Sequence, residues 1–254
     1  CATGGVGGRY TPAMSNFKAY AGVARAPFLL LPVTLVAAGA GVAVYDGAFV
    51  WFRTIMALVG LVALHMAVNI FNEWSDMRTG IDLATERTPF SGGSGTLPIG
   101  GMSMRGALVF GIACSVIGFA VGMYFLSVIG SAIVPILIVG AVCVLAYTDV
   151  LARLGIGEIA AGLGLGGLPV AGTVLVNTGR VSDAAVAAAV PATLMTFNLL
   201  LLNEFPDESA DRDGGRKNLV ILLGRRHASW VYAAAALATP LAVVIAVVMG
   251  RLPV

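Results

Sequence analysis

Seven apolar runs set the terms for this chain: residues 28–44, 52–71, 105–126, 128–147, 158–176, 184–205 and 228–249. Runs of about 17–25 apolar residues cross a bilayer as helices, and within hydrocarbon only helices or closed barrels satisfy their own backbone hydrogen bonds. With 58% hydrophobic and only 11% charged residues, the chain carries about half the charge of a soluble domain. The expectation is an all-α, polytopic transmembrane helix bundle of seven spans with cytoplasmic cap loops. It forms a single membrane-embedded domain over residues 1–254, with Gly-rich residues 1–14 disordered. A short interfacial helix over residues 15–26, carrying Lys18 and Arg25, precedes the first span. The net charge of +2, with no basic stripe, excludes a nucleic-acid partner and leaves the lipid bilayer as the bulk partner. Three cysteines, Cys1, Cys114 and Cys143, make no disulfide framework. Beginning at Cys1 and stopping at Val254, the chain reads as a fragment or a processed product.

The polar residues are not scattered. Residues 203–217 hold five of the thirteen acids, directly after the sixth run. The pattern Asn203-Glu204-Phe205-Pro206-Asp207 repeats that of Asn72-Glu73-Trp74-Ser75-Asp76, which closes the second run. At 100° per residue, Asn69, Asn72, Glu73 and Asp76 fall within an arc of roughly 100°, as do Asn203, Glu204, Asp207 and Asp211. Charged groups near a bilayer are costly and mark working sites. Two matched acidic faces at two helix ends predict one shared cation site. Carboxylates on successive turns are hard oxygen ligands of the kind Mg²⁺ takes alongside waters and phosphate oxygens. Cations suited to a polyphosphate accompany them: Arg78 and Arg87 after the first motif, Arg212, Arg216 and Lys217 after the second. Carboxylates, cations and a membrane position together suit a lipid diphosphate. The run Gly92-Gly93-Ser94-Gly95 is either an anion cradle or a hinge, and residues 82–101 are expected to form a lid with Arg87 meeting phosphate. His65, on the Asp76 face, reads first as a packed, hydrogen-bonded histidine and second as a cavity-lining one, Arg25 as a topology anchor, and Glu158 either as a helix-start charge or as facing the cavity.

These residues resemble the UbiA superfamily of intramembrane prenyltransferases. The resemblance is carried by Asn72 to Asp76 with Gly80 and Asp82, by Asp207 to Asp211 with Gly215-Arg216-Lys217-Asn218, and by Tyr147-Thr148 through Leu154 to Glu158. Arg87-Thr88-Pro89-Phe90-Ser91-Gly92-Gly93 and Asn203 to Asp207 look most like the branch acting on 1,4-dihydroxy-2-naphthoate. The resemblance implies helices around a central cavity open to lipid, two Mg²⁺ ions bridging the motifs to an isoprenyl diphosphate, and prenyl transfer to an aromatic acceptor in menaquinone biosynthesis. It implies Asp76, Asp207 and Asp211 as catalytic residues and Asn72, Glu73, Asp76, Asp207 and Asp211 as metal ligands. Substrate contacts are expected from Asn69, Asn72, Arg78, Asp82, Arg87, Arg153, Asn203, Arg216 and Lys217. Three departures stand out. Glu73 replaces a common Asp, Arg216-Lys217 reverses the usual order, and seven spans replace the family's usual nine, as if a C-terminal helix pair were missing. Other acceptors of the family (4-hydroxybenzoate, homogentisate, chlorophyllide, a glycerol phosphate ether lipid) remain open, as does a cation-coupled transporter. Against the transporter, the acids gather at span ends and not at the bilayer midplane.

Orientation follows from the cations. Twelve of fifteen Lys and Arg lie on the side of the two acidic loops and three on the other (Arg53, Arg180, Arg251). The positive-inside rule puts the N-terminus and both motifs in the cytoplasm, in the inner (cytoplasmic) membrane of a cell. A membrane-impermeant thiol reagent added to intact cells should label a Gly179→Cys variant and leave Gly92→Cys unlabelled; labelling at position 92 reverses the orientation.

Overall fold

The computed structural model describes residues 15–85, 87–88 and 92–253. The expected disorder of residues 1–14, and the Pro89-Phe90-Ser91 part of the first loop, lie outside the described residues. Every regular element among them is helical. The short helix α1 (Asn16–Val23) is capped by Ser15, whose hydroxyl accepts the Lys18 N–H. A 3-10 turn, Ala26–Leu29, leads into α2 (Leu30–Tyr45), and α3 (Trp51–Thr79) follows. Gly80, at φ 84°, ends α3 and opens the single turn α4 (Ile81–Ala84). Next come α5 (Met104–Ile129), capped by Ser103, and α6 (Val134–Leu145). Two π-helical turns, Tyr147–Leu151 and Leu163–Gly167, flank α7 (Ala152–Leu154) and α8 (Gly157–Gly162), and α9 (Leu168–Thr178) continues from the second. The long helices α10 (Asp183–Asp213) and α11 (Leu219–Val248) start at Ser182 and Asn218, whose side chains accept the N–H groups of Ala185 and Ile221. Each such cap satisfies a backbone donor the helix itself leaves orphaned.

Among the described residues, six helical stretches are long and apolar enough to cross a membrane, which makes this a multi-pass membrane protein. Seven were expected, and the difference lies in one stretch, Met104–Leu145, of 42 residues. Straight, it would reach about 63 Å, twice the hydrocarbon core of about 30 Å. It turns back at Gly130, where φ is 76° and ψ −158°. Met104 and Tyr147 accordingly pack in one cluster with Val144 and Ile70, and a Cβ on Gly122 would stand 2.9 Å from Leu137. The expected third and fourth spans are therefore the two arms of this stretch, and the chain makes seven passages. In the last span, Gly224 (φ 76°, ψ 155°) interrupts α11, close to the expected start at residue 228.

Helices α3 and α10 have 29 and 31 residues, about 43 and 46 Å at 1.5 Å per residue. Both exceed the hydrocarbon thickness, so each overhangs at one end. Those overhanging ends carry the two acidic motifs, Asn72 to Asp76 and Asn203 to Asp211. Close approach of the spans depends on glycine. A Cβ on Gly166 would lie 2.6 Å from the Ala192 carbonyl oxygen, and one on Gly162 would lie 2.9 Å from that of Thr193. This backbone-to-backbone seam docks the second π-turn on α10 without intervening side chains, as small residues allow in membranes. Gly166→Val should force the seam apart and cost about 1–3 kcal/mol, read as a lower melting temperature in detergent. Gly41→Ala, where a Cβ meets nothing within 4 Å, is the control and should melt at or above the unmodified protein.

Candidate active site

The overhanging ends of α3 and α10 are joined by one side chain. Arg216, just past α10, pairs with Asp76 of α3 and, at 3.3 Å, with Asp211 of α10. Asn72, with its amide turned to satisfy the network, donates to Asp76 Oδ2 at 3.2 Å and accepts from Arg216 Nη2 at 2.8 Å. Asn218 completes the other side, its Nδ2 donating to Asp211 Oδ2 at 3.0 Å. Burial opposes the charge on Arg216, but Asp76 and Asp211 hold its pKa above the ordinary value. A buried ion triad of this kind is held together by its own geometry, because removing any member strands a charge.

These groups rim one cavity of about 1150 Å³, counted with its mouth. Of the residues predicted from sequence, Asn69, Asn72, Asp76, Asp82, Asn203, Asp207, Asp211, Arg216 and Lys217 line it. Its inner wall is apolar, formed by Phe28, Leu31, Val68, Leu165, Leu199 and Leu200. Three buried carboxyl oxygens in this region have no hydrogen-bond partner among the described residues: Asp82 Oδ2, Asp207 Oδ1 and Glu204 Oε2. Burial, reinforced by the charges of Glu73 and Asp76, pushes the Asp82 carboxyl up to about 7. Leaving buried oxygens unpaired is costly, so this rim is an acceptor-rich surface suited to a cation.

The loop after the first motif lies across both motifs. The Gly92 N–H donates to Asp207 Oδ2 at 3.2 Å, while the Ser94 N–H and hydroxyl donate to Glu73 Oε1 and Oε2 at 2.6 and 2.7 Å. Gly93 has φ 72°, and a Cβ there would lie 2.5 Å from Asp82 Oδ1. Of the two readings of the Gly/Ser run, the described residues therefore display a carboxylate-bonded clasp, made by protein groups alone.

Several predicted residues stand elsewhere. Glu73, expected among the metal ligands, is fully buried beside the cavity wall, with Oε1 also paired to Arg25 Nε at 3.1 Å. Unlike Asp76 and Asp211 it does not line the cavity, and its two oxygens hold the loop, so its place is that of a clasp anchor. Arg78 faces outward, paired with Asp149 at 3.2 Å and lying 4.6 Å over the Trp74 ring. Arg87 donates to the Asp82 carbonyl oxygen at 2.6 Å and is exposed. Arg153 sits beside Gly215, outside the cavity lining. Among the described residues, no three His, Cys, Asp or Glu side chains converge closely enough to hold a metal by themselves.

Other cavity residues were not among those expected to bind substrate or metal. Arg25, read as a topology anchor, reaches into the site from a left-handed backbone conformation, φ 52°. That conformation is unfavourable for a residue with a Cβ; nothing in the local sequence signals it, because Glu73 lies far along the chain. Glu204 lines the cavity, and its signal was available: it echoes Glu73 and shares the Asp207 face. Tyr147 lines it too, its phenol raised above the ordinary pKa by burial and by Glu204. His65 lines the wall and is buried. Glu158 is buried outside the lining, accepting the Leu219 N–H at 2.5 Å. It stands in the first turn of α8, as its helix-start reading expected, and ties that turn to the start of α11.

Comparison with known proteins converges on one family. The 1,4-dihydroxy-2-naphthoate octaprenyltransferase of Bacillus subtilis (strain 168) is 27% identical over 180 residues, which cover 67% of this chain and 55% of that protein. The chain thus spans just over half the length of that relative. The protein of the same name from Mycobacterium leprae (strain TN) is 27% identical over 243 residues, 92% of this chain and 79% of its own. Among solved structures, a UbiA homolog from Archaeoglobus fulgidus bound to GPP and Mg²⁺ has a TM-score of 0.66 at 15% identity, covering 91% of this chain and 85% of its own. That likeness shows the shared helical fold. The profile of the UbiA prenyltransferase family matches residues 30–254, and the chain belongs to that family of prenyl-transferring membrane enzymes.

Proposed function

We propose that this chain transfers a polyprenyl group from an isoprenyl diphosphate to 1,4-dihydroxy-2-naphthoate, a step of menaquinone biosynthesis, at the cytoplasmic face of the inner membrane. The observation that carries the reading is the cavity's polarity. One end holds unpartnered carboxylate oxygens beside Arg216 and Lys217, and the other is apolar. A diphosphate with a hydrocarbon tail has the same division. The naming of the Bacillus and mycobacterial relatives supports the acceptor, and the neighbour bound to GPP and Mg²⁺ supports the donor and the metal. Membership of a prenyltransferase family argues against the cation-coupled transporter.

The residues present fit Mg²⁺, which uses one or two protein carboxylates and completes its shell with waters and phosphate oxygens; no all-protein cage is required. Asp82 Oδ2 and Asp207 Oδ1, one beside each motif, are the free buried oxygens. Asp76, Asp211 and the Asn72 carbonyl are the further ligands in this reading, with one ion assigned to each motif. When bound, Mg²⁺ would supply positive charge against the departing diphosphate. The protein's own contribution is positional. Lys217, which makes no ion pair among the described residues, offers a free ammonium to phosphate, whereas Arg216 holds the two motifs at fixed separation. The apolar wall keeps water from the allylic carbon as the carbon–oxygen bond lengthens. Glu204, whose Oε2 is buried and unpartnered in the cavity, is the group assigned in this reading to hold the acceptor.

Product identification by mass tests this, using membranes with octaprenyl diphosphate, Mg²⁺ and a panel of 1,4-dihydroxy-2-naphthoate, 4-hydroxybenzoate and homogentisate. Prenylated naphthoate is expected, and product from another acceptor alone overturns the assignment. Asp76→Ala and Asp207→Ala should each abolish product while the protein still inserts. Arg216→Ala should lower stability by about 3–5 kcal/mol, because it strands two buried carboxylates. Lys217→Ala should leave the melting temperature nearly unchanged and weaken protection by the diphosphate; equal melting of the two variants would refute the division of labour between these neighbours. Glu204→Gln should keep Mg²⁺-dependent protection by the diphosphate and lose transfer to naphthoate, and loss of protection instead would make Glu204 a donor-site residue.

A further inference from the structure

A second cavity lies between α3, α5, α6, the second π-turn and α9, with about 880 Å³ of empty space counted with its mouth. No charged side chain lines it; its walls are made by residues such as Leu61, Leu64, Phe119, Phe125, Leu137 and Leu168. Leu165, from the π-helical turn Leu163–Gly167, lines both this chamber and the site cavity. Neighbours on either side of Leu165 repeat the adjacency. On α3, Leu64 faces the chamber and His65 and Val68 the site; Val144, near the end of α6, faces the chamber, and Tyr147, just past it, the site. The two spaces thus adjoin at Leu165, the site cavity with its polar rim and apolar wall on one side and the uncharged chamber on the other.

The chamber's width comes from glycines on all five of the elements around it. At most of them a neighbour has moved in: a Cβ would meet Val121 at Gly60, Leu137 at Gly122 and Cys143 at Gly164. Gly140 is different, since a Cβ there meets nothing within 4 Å. It sits on the stripe of α6 shared by Ile133, Ile136, Leu137 and Val144, the helical spacing of one inward face. A side chain at position 140 would therefore fill the chamber without touching the charged site.

We propose that this chamber receives the distal isoprene units of the donor, which pass Leu165 from the site cavity, and that the absence of a side chain at Gly140 sets how long a chain fits. The inference rests on the prenyl-diphosphate reading above and adds the place of the tail. A donor whose head is held at the polar rim must send its tail away from that rim. The chamber is the uncharged space that shares the Leu165 wall with the cavity, and burying hydrocarbon there removes it from water. A bilayer acyl chain is the competing occupant, able to enter at the mouth without passing Leu165.

The test uses the full chain in membranes, with two independent readouts. In the first, Gly140→Leu and Gly140→Phe are compared with the unmodified protein for transfer from octaprenyl and geranyl diphosphates. The ratio of octaprenyl to geranyl transfer is expected to fall about 10-fold or more, the scale on which an apolar pocket discriminates by size, and an unchanged ratio overturns the proposal. The second readout needs no turnover. Octaprenyl diphosphate with a terminal diazirine should crosslink within residues 133–144 of the unmodified protein, and geranyl diphosphate with the same group should not. Crosslinks elsewhere overturn the proposal, and so does labelling of that segment by a photoactivatable phosphatidylcholine alone. If neither donor is transferred by the unmodified protein, the prenyl-transfer reading fails, while the crosslink still decides whether the chamber holds a prenyl tail.

Discussion

The Arg216 guanidinium between Asp76 and Asp211 is the constraint on which the rest of the site depends. The two motifs are carried by helices whose own packing is apolar and glycine-rich, and such packing sets no polar register. Without a cation between them, the facing carboxylates would repel one another in a partly desolvated space, where like charges are costly. With it, each acid is fixed in place, Asn72 and Asn218 complete the hydrogen bonding, and the remaining free oxygens, on Asp82 and Asp207, are displaced to the rim. The arrangement separates two functions that charge alone would confuse: Arg216 is structural cement and Lys217 the available cation.

A second level of organisation comes from length. Helices α3 and α10 exceed the hydrocarbon core, so their acidic ends stand where water and phosphate are available, while their lower turns line a cavity continuous with the apolar interior. The two π-helical turns occur on the same wall, one bearing Tyr147 and the other Leu165. Such turns are frequent where a helix must aim side chains into a site. Here they bring residues from the middle of the chain against the polar rim and against the apolar chamber.

Much of this was legible beforehand. Seven passages follow from apolar length, since lipid leaves the backbone no alternative to helices, and the acidic faces follow from the 3.6-residue period acting on Asn69 to Asp76 and Asn203 to Asp211. The arginines were less legible. Arg78, Arg87 and Arg153 look like phosphate ligands because each adjoins a motif or the middle loop, yet Arg78 turns to Asp149 and Arg87 to its own loop backbone. A long flexible side chain on a surface loop has many partners within reach, and sequence adjacency does not choose among them.

What the sequence by itself determined is the membrane, the number of passages and the two carboxylate faces, because each depends on hydropathy and on neighbours within a few residues. What only the tertiary structure decided is which charges meet. Arg25 reaches Glu73, Arg216 reaches Asp76, and Glu73 becomes the anchor of a clasp instead of a cavity ligand. These pairs are far apart in the chain, and their meeting is set by how seven helices pack. The close glycine contacts bring those helices within reach of one another, and Arg216 then fixes how their acidic ends meet.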